Sequence, residues 1–130
     1  MITLDSSVLL RYILNDLPDQ AALAASLIED RLSVEQSGYI PLIVIYEVYW
    51  VLTRQYRLDE QRVREALADL MAVASLIVEH SSSIQYALRD EGGLADALVH
   101  RVGTAAGASR TYTFDRKFAR LANVELLTEF

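Results

Sequence analysis

The chain has 130 residues, enough for one domain with a full hydrophobic core. Its composition, 52% hydrophobic and 23% charged, is that of a globular protein and excludes a disordered chain. Because it contains no cysteine, disulfides and thiolate metal sites are excluded as well. The net charge of −6 argues against a nucleic-acid partner, but every basic residue except Lys117 is an arginine, whose planar guanidinium suits phosphate groups. The charge therefore leaves a nucleic-acid partner open.

The hydrophobic pattern alternates between strand-like and helix-like periods along the chain, which is typical of an α/β fold. Five strands are predicted, at 2–5, near 38–40, at 75–79, at 111–114 and at 124–127. Five strands separated by helices imply one mostly parallel five-stranded sheet with helices on both faces.

Seven helices are predicted between and around these strands. The first three run from about 7 to 15, from Pro18 over DQAALAASLIEDRL with Leu23, Leu27 and Ile28 on the apolar face, and from Pro41 to about 55. The next two are DEQRVREALADLMAVA, capped by Asp59 with Val63, Leu67 and Leu70 on one face, and SSSIQYALRDE, capped by serine and ended by Gly92 and Gly93. The last two run from Leu94 to about 106, closed by Gly107, and over DRKFARL.

No segment of the sequence is predicted to enter a membrane. The longest apolar block, 41–52, is too short to span a bilayer and contains Glu47, and the N-terminus lacks a basic signal-peptide region. We expect a single domain over residues 1–130 in a soluble, cytoplasmic protein.

Two aspartates follow predicted strands where each strand leads into a helix. Asp5 follows the first strand, and Asp115 follows TYTF. Either residue could be a plain helix N-cap, since aspartate is among the preferred capping residues. However, parallel strands bring their carboxyl ends to one edge of a sheet, which is where ligands bind in such folds. The pair therefore indicates a possible site at that edge.

Two further acids lie in apolar helices. Glu47 is surrounded by apolar residues in PLIVIYEVYWVL, so we expect it to be buried and compensated by an arginine, a proton or a metal ion. Asp96 begins the helix of GGLADALVHR, where it could simply favour the helix dipole, or pair with His100 one turn later. If all four acids converge, their mutual repulsion requires a cation, and oxygen ligands select Mg²⁺ or Mn²⁺. Such ions activate water and offset charge in phosphodiester hydrolysis.

Four segments together carry a family likeness: ITLDSSVLL, IYEVYWVL, GGLADALVHR and TYTFDRKFARL. In this order and spacing they resemble the PIN-domain ribonucleases, and most closely the VapC-type toxins of bacterial toxin–antitoxin pairs. The resemblance implies an α/β/α sandwich with a five-stranded parallel sheet. It also implies that the acidic quartet, Asp5, Glu47, Asp96 and Asp115, binds one or two Mg²⁺ or Mn²⁺ ions. A metal-activated water would then cut RNA to leave a 5′-phosphate and a 3′-hydroxyl.

The resemblance further implies a set of partners and lining residues. Ser6 and Thr113 match polar positions that line the family's site. Members usually form homodimers, and the toxins are inhibited by a small cognate antitoxin that inserts a segment into the catalytic groove. Their targets are tRNA, rRNA or mRNA. Basic residues near the motifs are candidates for RNA contacts: Arg11, Arg89, Arg101 and Arg116.

The sequence departs from many of these toxins at one position. They carry a further acid two residues before the third motif aspartate, where this chain has Leu94. Asp90 and Glu91 lie nearby but out of register, so an additional metal contact there is not expected.

The sequence lacks the motifs of three other classes of protein. A haloacid-dehalogenase-like phosphatase needs a second aspartate at the position of Ser7, a response-regulator receiver needs an acidic pair, and a phosphate-binding GxxxxGK loop is absent. Two alternatives stay open: a PIN-like protein acting by protein binding, as an antitoxin-dependent corepressor, and a non-toxin housekeeping nuclease. Retention of all four acids favours catalysis.

Overall fold

The computed structural model describes residues 1–128 and divides the chain into two compact units, Met1–Glu79 (unit 1) and a second unit beginning at His80 (unit 2). Every strand pairing in the described residues is parallel and helices alternate with strands, which confirms the predicted α/β class. The prediction of one continuous five-stranded sheet is wrong in detail, because three strands pair in unit 1 and two in unit 2.

Unit 1 contains three strands and four α-helices, two of which continue into π-helical segments. In chain order they are β1 (Ile2–Thr3), α1 (Ser6–Leu14), α2 (Pro18–Ala25) with its π-helical continuation Ser26–Arg31, β2 (Gly38–Ile40), α3 (Leu42–Trp50) with its continuation Val51–Gln55, α4 (Glu60–Met71) and β3 (Leu76–Val78).

The sheet of unit 1 has β2 at its centre, between β1 and β3. Gly38 pairs with Ile2 on one side and with Leu76 on the other. A Cβ atom at Gly38 would lie 2.8 Å from a methyl group of Leu32 and 3.0 Å from a methyl group of Leu4, so these side chains would have to move to admit a larger residue. The glycine therefore allows side chains of neighbouring segments to close tightly over the central strand.

Two helices of unit 1, α3 and α4, begin at carboxylate capping groups. The Asp59 carboxylate accepts a hydrogen bond from the Arg62 amide at 3.2 Å, which confirms the predicted cap of α4. The first amide of α3, at Leu42, donates to the Glu79 carboxylate at 2.8 Å, so the residue after β3 caps α3. The predicted apolar face of α4 is buried. In contrast, Leu23, which was grouped with Leu27 and Ile28 on the apolar face, is 72% exposed, whereas Ile28 is buried.

Unit 2 contains two helices, one 3₁₀ turn and two strands in its described part. In chain order they are α5 (Ser81–Arg89), α6 (Leu94–Ala105), β4 (Thr111–Thr113), the 3₁₀ turn (Phe118–Arg120) and β5 (Val124–Leu126). β4 pairs with β5, with Thr111 opposite Val124. Leu94, Ile84 and Phe118 belong to its buried core.

Three predicted details of unit 2 are wrong. No serine side chain caps α5, which begins after His80 in a left-handed conformation (φ 55°), and the helix ends at Arg89 before the two glycines. The segment DRKFARL forms only a single 3₁₀ turn.

The length and hydropathy of the helices decide whether one of them could span a membrane. Within residues 1–128, none is both long enough and apolar enough to cross a bilayer.

Candidate active site

Asp5 immediately precedes α1, between strand and helix as predicted. Its carboxylate accepts a hydrogen bond from the Ser7 hydroxyl at 3.0 Å but makes no capping bond to the helix amides. The Ser7 hydroxyl is the main cause that lowers the pKa of Asp5, the nearby Ser6 amide adds to this, and slight desolvation opposes it. Asp5 is exposed, whereas Ser6 beside it is buried. An exposed carboxylate that resists protonation is suited to bind a cation.

Glu47 lies on the exposed side of α3, so the prediction that it is buried is wrong. Ile43 and Trp50, four residues before and three after it, are 76% and 43% exposed. These three residues recur at helical spacing and form one solvent-facing stripe, the α3 stripe, while Val44 and Val48 are buried. Water can therefore solvate the Glu47 carboxylate, and burial does not require a compensating cation.

Asp96 and Asp115 line the same cleft in unit 2, which has a volume of about 430 Å³. Asp96 lies in the first turn of α6, half-buried, with Gly93 preceding the helix. A Cβ atom at Gly93 would lie 3.8 Å from Oδ2 of Asp96, so the glycine leaves this side of the carboxylate open. Among residues 1–128, no hydrogen-bond or ion-pair partner is found for the Asp96 side chain. A half-buried carboxylate without a protein partner is suited to a cation from solution.

Asp115 also organises its own loop. Its Oδ1 accepts hydrogen bonds from the Lys117 amide at 2.8 Å and the Phe118 amide at 3.2 Å, and its own amide donates to the Thr113 hydroxyl at 3.0 Å. The capping interpretation of Asp115 is thus correct for one oxygen. In the described part of the chain Oδ2 accepts no hydrogen bond, so it is available to a ligand.

The cleft contains residues that the sequence motifs did not single out. Besides the two aspartates, its walls carry one further acid, two bases, two glycines and two apolar side chains: Glu91, Lys117, Arg120, Gly92, Gly93, Phe118 and Leu121. The bases follow Asp115 at a spacing that the 3₁₀ turn brings to one side, a signal that depends on recognising this turn. The cleft therefore offers both carboxylates and cations to a ligand.

His100 is not arranged as a metal ligand with Asp96. It is buried, and its Nδ1 lies 2.8 Å from the Thr111 hydroxyl, within hydrogen-bond distance. This contact joins α6 to β4, so His100 has a structural role within unit 2.

The four candidate arginines have different environments. Arg101 donates two hydrogen bonds to Asp90, at 2.7 and 2.8 Å, and lies over the Tyr86 ring at 5.1 Å. A phosphate would have to displace the Asp90 carboxylate in order to bind Arg101. Because Asp90 is paired in this way, it is not available as an additional metal ligand. Arg11 similarly pairs with Asp16 at 2.9 Å. The remaining two candidates, Arg89 and Arg116, are exposed.

The excess of negative charge belongs to unit 1. It carries twelve of the eighteen acidic residues and six of the twelve basic residues, whereas the chain from His80 onward carries six of each. Within residues 1–128, no three Asp, Glu or His side chains are grouped as ligands of a metal ion. The convergence of all four acids therefore stays a prediction.

Comparison with known proteins agrees with this architecture. Residues 2–124 match the family model of the PIN domain, and the chain belongs to the PIN-domain family. PIN domains are generally nucleases, which hydrolyse phosphodiester bonds, and they usually use divalent metal ions. No characterised protein in a search of curated sequences matches the chain significantly.

Proposed function

We propose that this PIN-domain protein is a Mg²⁺- or Mn²⁺-dependent endoribonuclease and the toxic component of a type II toxin–antitoxin pair. The observation that carries the proposal is the half-buried Asp96 carboxylate, which has no partner in the described residues and lines one cleft with Asp115. In a family of nucleases, this arrangement is best explained as part of a metal site.

The acids have distinct roles in the proposal. In unit 2, Asp96 and Oδ2 of Asp115 would act as metal ligands within the cleft, and in unit 1 the proposed metal ligands are Asp5 and Glu47. When bound, the ion supplies activation of water and neutralisation of charge on the phosphate. Ser7 keeps the Asp5 carboxylate ionised, since its hydroxyl lowers the pKa of Asp5. Thr113 orients Asp115 by accepting the hydrogen bond from its amide.

Protein partners belong to the same proposal. Ile43 and Trp50 in the α3 stripe are exposed, and Leu23 in α2 is exposed as well. Large apolar side chains that are exposed in one chain can be buried by binding another protein. We propose that these surfaces bind a second copy of the chain, which gives a homodimer, and a small antitoxin.

Two alternatives to the toxin differ in whether they need nuclease activity. A PIN-like protein acting only by protein binding, as a corepressor, would need the exposed apolar residues but not Asp96. A housekeeping nuclease would need Asp96 but not an antitoxin. The experiments below separate these two alternatives from the toxin.

The test of catalysis is Asp96→Asn, with Asp5→Asn as a second variant. The Asp96 side chain has no hydrogen-bond or ion-pair partner among residues 1–128, and Asp5 is exposed. Both variants should therefore fold like the wild type, as judged by circular dichroism and urea unfolding. RNA cleavage in Mg²⁺ or Mn²⁺ should fall to the level measured in EDTA. Asp69→Asn, at an exposed acid of α4, is the matched control and should cleave normally.

Cleavage that continues unchanged in both variants would contradict the metal mechanism. Induced expression tests the toxin role: growth should stop with the wild type, continue with Asp96→Asn, and be restored by a co-expressed antitoxin encoded beside it. Normal growth despite cleavage in vitro would favour the housekeeping nuclease.

A further inference from the structure

Two cations of the unit 2 cleft lie on one side of the 3₁₀ turn. The Arg120 amide donates to the Lys117 carbonyl at 3.2 Å, which places these residues three apart in a 3₁₀ geometry. Residues at this spacing eclipse one another, so both side chains leave the turn on the same side, and both line the cleft. The buried ring of Phe118 anchors the turn between them.

Neither cation is neutralised by the protein. In the portion described, 1–128, the Lys117 ammonium and the Arg120 guanidinium have no ion pair or hydrogen-bond partner, although Glu91, Asp96 and Asp115 line the same cleft. Elsewhere in unit 2, Arg101 pairs with Asp90 and Arg110 with Glu125. The two unpaired cations therefore lie in the same cleft as carboxylates that could bind a metal ion. This combination suits a ligand that carries several phosphates, because such a ligand can contact a metal ion and basic side chains together.

An exposed aromatic residue is the sequence neighbour of a residue that lines the cleft. Phe114 directly precedes Asp115, and it is 79% exposed, the most exposed large apolar side chain in the described part of the chain. Exposed aromatic rings beside basic side chains are the elements that bind single-stranded nucleic acids, since every base has a face that can stack. The chain from His80 onward has six acidic and six basic residues, so it carries no net negative charge that would repel such a ligand.

We infer that Lys117 and Arg120 contact the backbone phosphates of a single RNA strand at the edge of the unit 2 cleft and that Phe114 stacks on one of its bases. This inference rests on the proposed nuclease function and names the residues that would hold its substrate. Duplex RNA is excluded from the stacking contact, because its bases are already stacked and paired. The two kinds of contact have different signatures and are tested separately.

The phosphate contacts are tested by the salt dependence of binding. Fluorescence anisotropy with a labelled single-stranded oligoribonucleotide, in EDTA to prevent cleavage, gives the slope of log Kd against log salt. For single strands each phosphate contact contributes about 0.7 to this slope. Lys117→Ala and Arg120→Ala should each reduce the slope by about 0.7. Arg62→Ala, at an exposed arginine of α4, should leave it unchanged.

The stacking contact is tested by Phe114→Ala. Loss of one base-stacking contact should weaken binding of the single strand about 5- to 150-fold and leave the salt slope unchanged. Phe114→Trp should retain the affinity, whereas Phe114→Leu should not, since leucine is apolar but cannot stack. Val99→Ala, at another exposed apolar residue of unit 2, is the control for a general loss of apolar surface.

Lys117 also has a direct readout, because it is the only lysine of the chain. Amine-selective labelling followed by intact mass measurement therefore reports on Lys117 and the N-terminal amine alone. Saturating single-stranded RNA should protect Lys117 from the label. Full labelling in its presence would overturn the assignment of this residue.

The outcomes for the inference and for the proposed function are distinguishable. Unchanged salt slopes in both cation variants, equal affinity of Phe114→Ala, or absence of RNA binding by the wild type would overturn the inference. Cleavage by the wild type with unchanged slopes would leave the nuclease intact and contradict only this binding mode. Binding with the expected slopes but no cleavage would support the binding mode and contradict the nuclease.

Discussion

Asp115 combines two roles that substitution can separate. Its Oδ1 accepts hydrogen bonds from the Lys117 and Phe118 amides at 2.8 and 3.2 Å, and its Oδ2 is open to a ligand. Asparagine retains an oxygen acceptor in the place of Oδ1 but has no negative charge. Alanine removes both functions. The two variants therefore distinguish the loop-capping role from the proposed metal-binding role.

The expected change in stability follows from the capping bonds. Replacing a capping aspartate by alanine costs about 0.5–2 kcal/mol, typically about 1 kcal/mol. With a urea dependence of about 2 kcal/mol/M, Asp115→Ala should lower the midpoint of unfolding by about 0.5 M. Asp115→Asn should stay close to the wild-type midpoint because its amide oxygen continues to accept both bonds. RNA cleavage in Mg²⁺ should be lost in both variants.

Two results would refute this reasoning, each for a different part. Cleavage by Asp115→Asn would show that the charge of Asp115 is dispensable, which contradicts its place among the metal ligands. A midpoint for Asp115→Ala equal to that of the wild type would show that the two amide bonds do not stabilise unit 2. Asp69→Ala, at an exposed acid that caps no helix, is the control for loss of a surface charge.

Two further predictions concern single hydroxyl groups. Ser7→Ala should raise the pKa of Asp5 toward its ordinary value of 3.8, because the Ser7 hydroxyl is the main cause that lowers it, and NMR titration of the carboxyl carbon measures this shift. A depressed pKa stabilises the fold above the unfolded-state pKa, and this contribution is lost as the pH falls through the folded-state pKa. Because Ser7→Ala brings the folded-state pKa of Asp5 closer to the unfolded-state pKa, the variant should lose part of this contribution at neutral pH, and its stability should depend less on pH in the acid range; an unchanged titration would contradict the assignment. Thr111→Val should cost about 1–3 kcal/mol in urea unfolding because it leaves buried His100 without its partner 2.8 Å away, whereas exposed Thr3→Val should cost little. Equal stability of these two threonine variants would show that the contact with His100 does not support the fold.

Local signals in the sequence predicted local structure well. The strand near 38–40 is found at Gly38–Ile40, and the Asp59 cap and the apolar face of α4 are confirmed, because each depends on residues close in the chain. The division of the strands into two sheets was not predictable in this way, since pairing depends on residues far apart in sequence.

The errors at the candidate site have a similar origin. Glu47 was expected to be buried because its neighbours in sequence are apolar, but burial depends on what packs against each side of α3, and one side faces solvent. Lys117 and Arg120 were missed because the candidates were chosen by closeness to the motifs, and closeness in sequence does not show which side chains line the cleft. In the 3₁₀ turn, residues three apart are eclipsed, which brings both cations to one cleft.

The capping of α3 by Glu79 removes one possible anion-binding site from unit 1. Helix N-termini attract phosphate groups, because their first amides lack partners and the helix dipole is positive there. At α3 the first amide already donates to the Glu79 carboxylate, so an internal anion occupies the position that a phosphate would take. This end of unit 1 therefore offers no free first amide to a phosphate group, and the capping carboxylate adds a negative charge there.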